Sequence, residues 1–123
     1  MSVITDAHFM AQLPEETTRI VLELQQRLLA IVNEATTTGF TILEQYGETN
    51  STLVVFDQLQ NAKERAETYY SRFYRLLLQI AAAYPNATVT MLELLERSIE
   101  EAQATAPATE ATIQEAKRDW NLL

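Results

Sequence analysis

The fold is decided by residues 51–84, which read STLVVFDQLQNAKERAETYYSRFYRLLLQIAAAY. Apolar or small residues recur there at alternating steps of three and four, over more than four heptads: Thr52, Val55, Leu59, Ala62, Ala66, Tyr69, Phe73, Leu76, Ile80 and Ala83. This spacing aligns them along one side of an α-helix. We therefore predict a long amphipathic helix over this segment, ended by Pro85.

A second long helix is predicted over residues 14–46. It carries a stripe of the same period, made of Val21, Leu24, Leu28, Ile31, Ala35, Thr38 and Ile42. Pro14 suits the helix start and Gly47 the helix end. Residues 36–39 (TTTG) are weak helix formers, which leaves two interpretations open. The helix kinks there, or the small glycine lets a neighbouring helix approach closely.

The last third of the chain predicts two shorter helices, over residues 90–104 and 109–123, separated by an Ala/Thr-rich connection that contains Pro107. Thr90 and Glu93 have the spacing of a capping box for the first of them.

A short helix near residues 5–12 precedes the long helices, within an N-terminal arm over residues 1–13. The predicted fold is all-α. It is a single domain, residues 1–123, forming an antiparallel helical bundle with two long helices and two shorter C-terminal helices. We expect five residues to be buried in its core: Leu28, Ile31, Leu59, Phe73 and Leu76.

Composition excludes several classes of function. The chain has no Cys, one His and two Gly, which argues against thiolate metal sites, His-based zinc sites and glycine-rich phosphate loops. Nine basic and seventeen acidic residues give a net charge of −8, which disfavours nucleic-acid binding. No apolar run approaches the ~20 residues of a membrane span, and residues 1–13 lack a secretory pattern. We expect a cytoplasmic protein without a cofactor or a membrane partner.

Paired glutamates offer an enzymatic alternative. Glu64 and Glu67 form E-x-x-E on the second long helix, and Glu93 and Glu96 repeat it on the next helix. The spacing resembles the acidic helices of all-α nucleoside-triphosphate pyrophosphohydrolases of the MazG type, with Glu96 standing where that family has aspartate. The resemblance implies Mg²⁺-dependent hydrolysis of a nucleotide, since Mg²⁺ prefers oxygen ligands. The stripe directs Glu64 and Glu67 outward, so we favour a solvated face.

The segment around residues 69–75 (YYSRFYR) is the most distinctive candidate for partner binding. Arg and Tyr side chains are common in binding hot spots, because each combines a large contact area with a polar tip. The C-terminal Trp is costly to leave in water, so it either caps the bundle or docks on another chain. The candidate partner-binding residues are Arg65, Tyr70, Arg72, Tyr74, Arg75 and Trp120. In the competing interpretation, the arginines pair with glutamates of a neighbouring helix.

One tract resembles a known family. Residues 41–50 (TILEQYGETN), followed by Leu53, resemble the first helix–loop junction of the RuBisCO-assembly chaperone family RbcX. Two prolines usual in that family are replaced here by Ser51 and Thr52. The resemblance implies a small all-α homodimer that clamps an extended peptide.

From these features we expect a non-enzymatic protein–protein interaction module that works through a helical surface, as an adaptor, assembly chaperone or regulator. The partner is a protein of unknown identity, and a second copy of the chain is one candidate for it. The Mg²⁺-dependent hydrolase is the first alternative, and an apolar ligand held between helices is the second.

Overall fold

The computed structural model describes residues 13–123, which form three α-helices packed against one another. Helix α1 spans Glu15–Tyr46, α2 spans Asn50–Ala82 and α3 spans Val89–Asp119. No strand occurs in this part of the chain, so the all-α prediction is confirmed. The predicted N-terminal helix lies outside the described residues.

The prediction of two short C-terminal helices is wrong, because α3 runs without a break through Pro107. A proline inside a helix removes one hydrogen bond and crowds the carbonyl four residues earlier, here that of Gln103. Both Pro107 and Gln103 lie on the exposed side of α3, where water can solvate that carbonyl. On the opposite side Ala102, Ala106 and Thr109 are buried against the bundle. Packing of this side thus outweighs the local cost of the proline.

Contacts between the helices define an up–down–up arrangement. Gln25 Nε2 donates to the Tyr70 carbonyl of α2 at 3.5 Å, and the rings of Phe40 and Phe56 meet at 5.3 Å, so α1 and α2 are antiparallel. Arg27 binds Glu110 at 2.6 Å, and Glu34 binds Lys117. Because both pairs advance in the same direction, α1 and α3 are parallel.

The stripes of the three helices meet in one core. Among the largest completely buried side chains are Phe73, Leu28, Leu59 and Ile80, together with Leu95 from α3. The predicted core residues Ile31 and Leu76 are buried as well, so all five core predictions are confirmed.

Gly39 allows the closest approach of α2 to α1. A Cβ atom at this position would lie 3.0 Å from Cδ1 and 3.2 Å from Cε1 of Phe56. Helix α1 continues unbroken through the stretch. The structure therefore favours close helix approach over a kink.

Local capping chemistry determines where the helices begin and end. Gly47 ends α1 with φ of 77°, in the region that favours glycine. Thr49 and Thr52 form a reciprocal capping box at the start of α2, and the Thr52 hydroxyl also lies 2.7 Å from the Gly47 carbonyl. Thr88 caps α3 by accepting from the Met91 N–H at 3.1 Å. The predicted capping box of Thr90 and Glu93 is therefore wrong by two residues, since Thr90 already lies inside the helix.

Replacing Leu28 with Ala removes a fully buried side chain from the centre of the core. We expect a loss of about 2–5 kcal/mol in the free energy of unfolding, measured by urea denaturation. Leu123→Ala is the matched control, because Leu123 is 73% exposed and should change stability by less than about 0.5 kcal/mol. Equal losses for both variants would contradict the assigned core.

Replacing Pro107 with Ala restores the missing hydrogen bond and relieves crowding in the middle of α3. Because proline is about 3 kcal/mol less favourable than alanine inside a helix, we expect about 1–3 kcal/mol of added stability. Thermal denaturation followed by circular dichroism measures the change. A lower midpoint for Pro107→Ala would indicate that α3 breaks at this proline in solution.

Candidate functional site

The side of the bundle formed by α1 and α2, away from α3, carries an exposed row of large apolar side chains. Each of them keeps between 43% and 57% of its surface exposed. The row, called the apolar row below, consists of Leu22, Leu29 and Phe40 of α1 and Leu53, Tyr74 and Leu78 of α2. Monomeric proteins rarely expose large continuous apolar patches, so this side is the leading candidate for a binding surface.

Helical periodicity places these residues on one side of each helix. Leu22 and Leu29 are seven residues, about two turns, apart, and so share a side of α1. Arg27 and Glu34 are also seven apart, and they occupy the other side, where they contact α3. The ring contact between Phe40 and Phe56 joins the two halves of the surface across the helix pair.

Charges on this side are few and lie at its middle. Between Leu22 and Phe40, the other residues that α1 contributes are the uncharged Asn33 and Thr36. Helix α2 contributes Lys63 and Glu67, midway between Leu53 and Leu78, and the exposed Glu64 at the outer edge, since it lies eleven residues, about three turns, after Leu53. The surface is therefore apolar at both ends, with Lys63 and Glu67 at its centre and Glu64 at its outer edge.

The α1–α3 side is closed differently, by ion pairs. Arg27 donates to both carboxylate oxygens of Glu110, at 2.8 and 2.6 Å, and Lys117 binds Glu34. The hydrogen bond from Arg27 holds the pKa of Glu110 below its ordinary value of 4.5, against the opposing effect of burial. From Arg27 to Glu34 the α1–α3 side is thus closed by ion pairs within the chain, whereas no ion pair among the described residues joins α1 to α2.

The residues predicted for partner binding do not form a single patch. Residues two positions apart point about 200° apart on a helix, so Tyr70 and Arg72 lie on opposite sides of α2. Tyr74 belongs to the apolar row, and the half-buried Tyr70 lies beside it, facing α1. Arg65 and Arg72 lie on the α3 edge of the helix, and the exposed Arg75 points away from the bundle.

Arg72 has a partner within the chain. It forms an ion pair with Glu101 of α3 at 3.3 Å and lies over the ring of Tyr69, 5.1 Å from its centroid. The Tyr69 hydroxyl donates to the same carboxylate at 3.2 Å. This is the pairing with a neighbouring helix that the sequence offered as the competing interpretation. Arg65 and Arg75 form no ion pair with another residue of the described part.

Trp120 caps the far end of the bundle. Its ring meets that of Tyr46 edge to face, with centroids 5.0 Å apart, and the Tyr46 hydroxyl donates to the Trp120 carbonyl at 2.8 Å. Along α3, Trp120 lies about 28 Å from Glu101, and hence from Arg72. The capping interpretation of this tryptophan is the one that the structure shows.

The paired glutamates do not converge. Tyr69 and Arg72 contact Glu101, and α2 runs antiparallel to α3. Glu64 and Glu67 therefore lie at the level of α3 residues that follow Glu101, whereas Glu93 and Glu96 precede it. Within residues 13–123, no three carboxylate, His or Cys side chains come together as a metal site.

An open cleft of about 560 Å³ lies between the starts of α1 and α3. Its floor is apolar, with Ile20, Leu92 and Ile99, and its rim carries Glu93, Glu96 and Glu100. The glutamates of α3 that were candidates for a metal site, Glu93 and Glu96, therefore lie at this cleft, and no basic residue lines it. It is the place among the described residues that an apolar ligand between helices would occupy.

Sequence analysis missed five of the six residues of the apolar row, all except Tyr74. Their signal was a second, weaker repeat beside the main stripe: Leu22 and Leu29 are seven apart, as are Leu53 and Gln60, and Glu67 and Tyr74. Because glutamine and glutamate interrupt this repeat in α2, it does not stand out as an apolar pattern.

The chain matches no protein-family model, and neither curated proteins nor solved structures gave a match. The tract that resembles RbcX forms the turn between α1 and α2, where Gly47 and the capping pair Thr49 and Thr52 account for its local sequence. No helix within residues 13–123 has the length and apolarity needed to cross a bilayer.

The ion pair of Arg27 and Glu110 predicts a small pH dependence of stability. A carboxylate with a lowered pKa stabilises the fold above its unfolded pKa, and this contribution is lost as the pH falls through the folded value. Both side chains are about 40% exposed, so we expect at most about 1 kcal/mol. The wild type should exceed Glu110→Gln in stability at pH 7, and the two should converge well below pH 4.5. Urea denaturation at both pH values measures this, and an undiminished difference in acid would contradict it.

Proposed function

We propose that this protein is a non-catalytic interaction module, which binds an amphipathic helix of another polypeptide chain through the apolar row. One observation carries the proposal: six large apolar side chains are exposed on a single side formed by two helices. Two antiparallel helices form a shallow groove, and an amphipathic helix laid along such a groove buries its own apolar face.

The energetics favour reversible binding. A fully buried Leu or Phe side chain contributes about 1.5–3 kcal/mol, and the row residues are about half exposed, so each adds about 1 kcal/mol on binding. Six such contributions are similar to the ~4–15 kcal/mol that association costs in lost freedom. Polar contacts at the margin of the groove therefore decide for which partner the free energy of binding exceeds the cost of association.

Three of the residues predicted for partner binding fit this surface. Tyr74 lies in the row, Tyr70 supports it from the groove, and Arg75 stands at its outer margin, free to meet an acidic group of a partner. The other three, Arg65, Arg72 and Trp120, lie away from the row, and the proposal does not depend on them. An adaptor, an assembly chaperone and a regulator would all use such a surface.

No observation favours the Mg²⁺-dependent hydrolase as a second candidate. Its four glutamates are exposed and lie along different stretches of the bundle. The proposed function needs no metal.

A photoreactive residue tests the proposed surface. A benzophenone-bearing amino acid at Leu29, in the middle of the row, should form discrete covalent adducts with a polypeptide in the cells that make this protein. The same residue at Ala111, exposed on the outer side of α3, is the matched control and should form none. Leu78→Glu should abolish the adducts, because it places a charge in the groove without touching the core.

Equal adducts at positions 29 and 111, or none at position 29, would contradict the proposed function. Circular dichroism confirms that each variant remains folded.

A further inference from the structure

The α1–α2 surface is nearly symmetric about its own middle. On α2, Phe56 and Tyr74 lie nine positions on either side of position 65, and Lys63 and Glu67 lie two positions on either side. Leu53 and Leu78 lie at almost equal distances from the same centre. On α1, Leu22 and Phe40 lie nine positions on either side of position 31.

The two centres lie at the same height along the bundle. Phe40 meets Phe56 near one end of the surface, and Gln25 meets Tyr70 towards the other. Because the helices run antiparallel at equal rise, the level of position 31 in α1 falls beside that of position 65 in α2. One point therefore serves as the centre for both helices.

We propose that the helix partner is supplied by a second copy of this chain, related by a two-fold axis through this point. The inference rests on the proposed function and names the partner of the same surface. The axis lies between the two copies and runs across the helices, so α1 packs antiparallel on the second α1 and α2 on the second α2. Each Lys63 then faces Glu67 of the other copy, and each Leu53 faces Leu78.

Charge complementarity favours a second copy as the occupant. Lys63 and Glu67 lie at the middle of the surface, and the two-fold axis places each beside its opposite, while the exposed Glu64 stays at the outer edge. A two-fold axis along the helices would instead lay α2 over α1 of the other copy. Lys63 and Glu67 would then face the uncharged Asn33 and Leu29, which leaves both charges unpaired in an apolar contact.

The available area is sufficient for a dimer. From Leu53 to Leu78 the surface is about 38 Å long, and it is about 20 Å wide, since two helices form it. A second copy would cover about 750 Å² of each chain, close to the ~800 Å² per partner that is usual for stable interfaces.

Charge reversal at the centre provides the first test. By sedimentation equilibrium, the wild-type chain should be a reversible dimer, and Lys63→Glu and Glu67→Lys should each weaken dimerisation about tenfold or more. Each single variant places two like-charge contacts across the axis. An equimolar mixture of the two variants should recover dimers at wild-type affinity or better, because every contact is then between opposite charges.

Matched controls separate this effect from a general change in charge. Arg65→Glu lies on the α3 edge of the same helix, and Glu115→Lys lies on the exposed side of α3. Both should leave the dimer constant within about twofold. Circular dichroism verifies that all four variants are folded.

Disulfide crosslinking tests the register. The chain has no Cys, so Leu53→Cys and Leu78→Cys each introduce a single thiol. On oxidation, a mixture of the two variants should give crosslinked heterodimers, because position 53 of one copy faces position 78 of the other. Neither variant alone should crosslink efficiently.

A monomer at every concentration, or a Lys63→Glu variant that dimerises as well as Arg65→Glu, would overturn the inference. Efficient crosslinking of Leu53→Cys with itself would do the same.

The proposed function has a separate outcome. If the photoreactive residue at position 29 captures a different polypeptide while the chain stays monomeric, the proposed function stands and the second copy is excluded as partner. If it captures nothing, the proposed function itself fails.

Discussion

The burial of the α2 stripe between α1 and α3 is the interaction on which the rest of this structure depends. Phe73, Leu59 and Ile80 have no contact with water, and they are covered from two sides by residues such as Leu28 and Leu95. Most of the stability of a helix in a protein comes from packing of its apolar side, so the neighbours of this 33-residue helix must cover it along its length. This requirement explains why α3 stays helical through Pro107 when a break there would uncover part of the stripe.

A bundle of three helices has three sides, each formed by a different pair of helices, and the residue types on these sides can differ. On the α1–α3 side, Arg27 and Glu34 pair with Glu110 and Lys117, so charged groups close the margin of the core. On the α1–α2 side the margin is formed by leucines and aromatic rings, which pair with nothing polar. The difference follows from the residue types on the two sides of α1. Arg27 and Glu34 lie seven residues apart on one side, and Leu22 and Leu29 lie seven residues apart on the other. Ion pairs therefore close one side beyond the cleft at the helix starts, whereas the other side keeps its apolar side chains exposed.

The sequence predicted the helical class, the extents of α1 and α2 to within two residues and the five core residues, because long regular stripes dominate over local effects. It failed where local signals competed with packing. Pro107 indicated a break, and Thr90 with Glu93 matched a capping box, yet the buried side of α3 and the cap at Thr88 prevailed. The residues predicted for partner binding lie on different sides of α2, since adjacent positions of a helix point in different directions, and their role stays a prediction. The apolar row could not be located without knowing which side α3 covers.

The composition of the α1–α2 surface separates two contributions to recognition. The leucines and rings supply attraction with little directional preference, because the hydrophobic effect scales with the area removed from water. Such a surface alone would accept many helices in several registers. Lys63 and Glu67 add little attraction, since charges near the surface are screened, but a misplaced partner leaves them facing apolar groups, which costs more than their pairing contributes. In the proposed dimer, the position of Lys63 and Glu67 at the centre, four residues apart on α2, penalises shifted and reversed arrangements together. In the proposed interaction, affinity and register are therefore carried by different residues of the same surface.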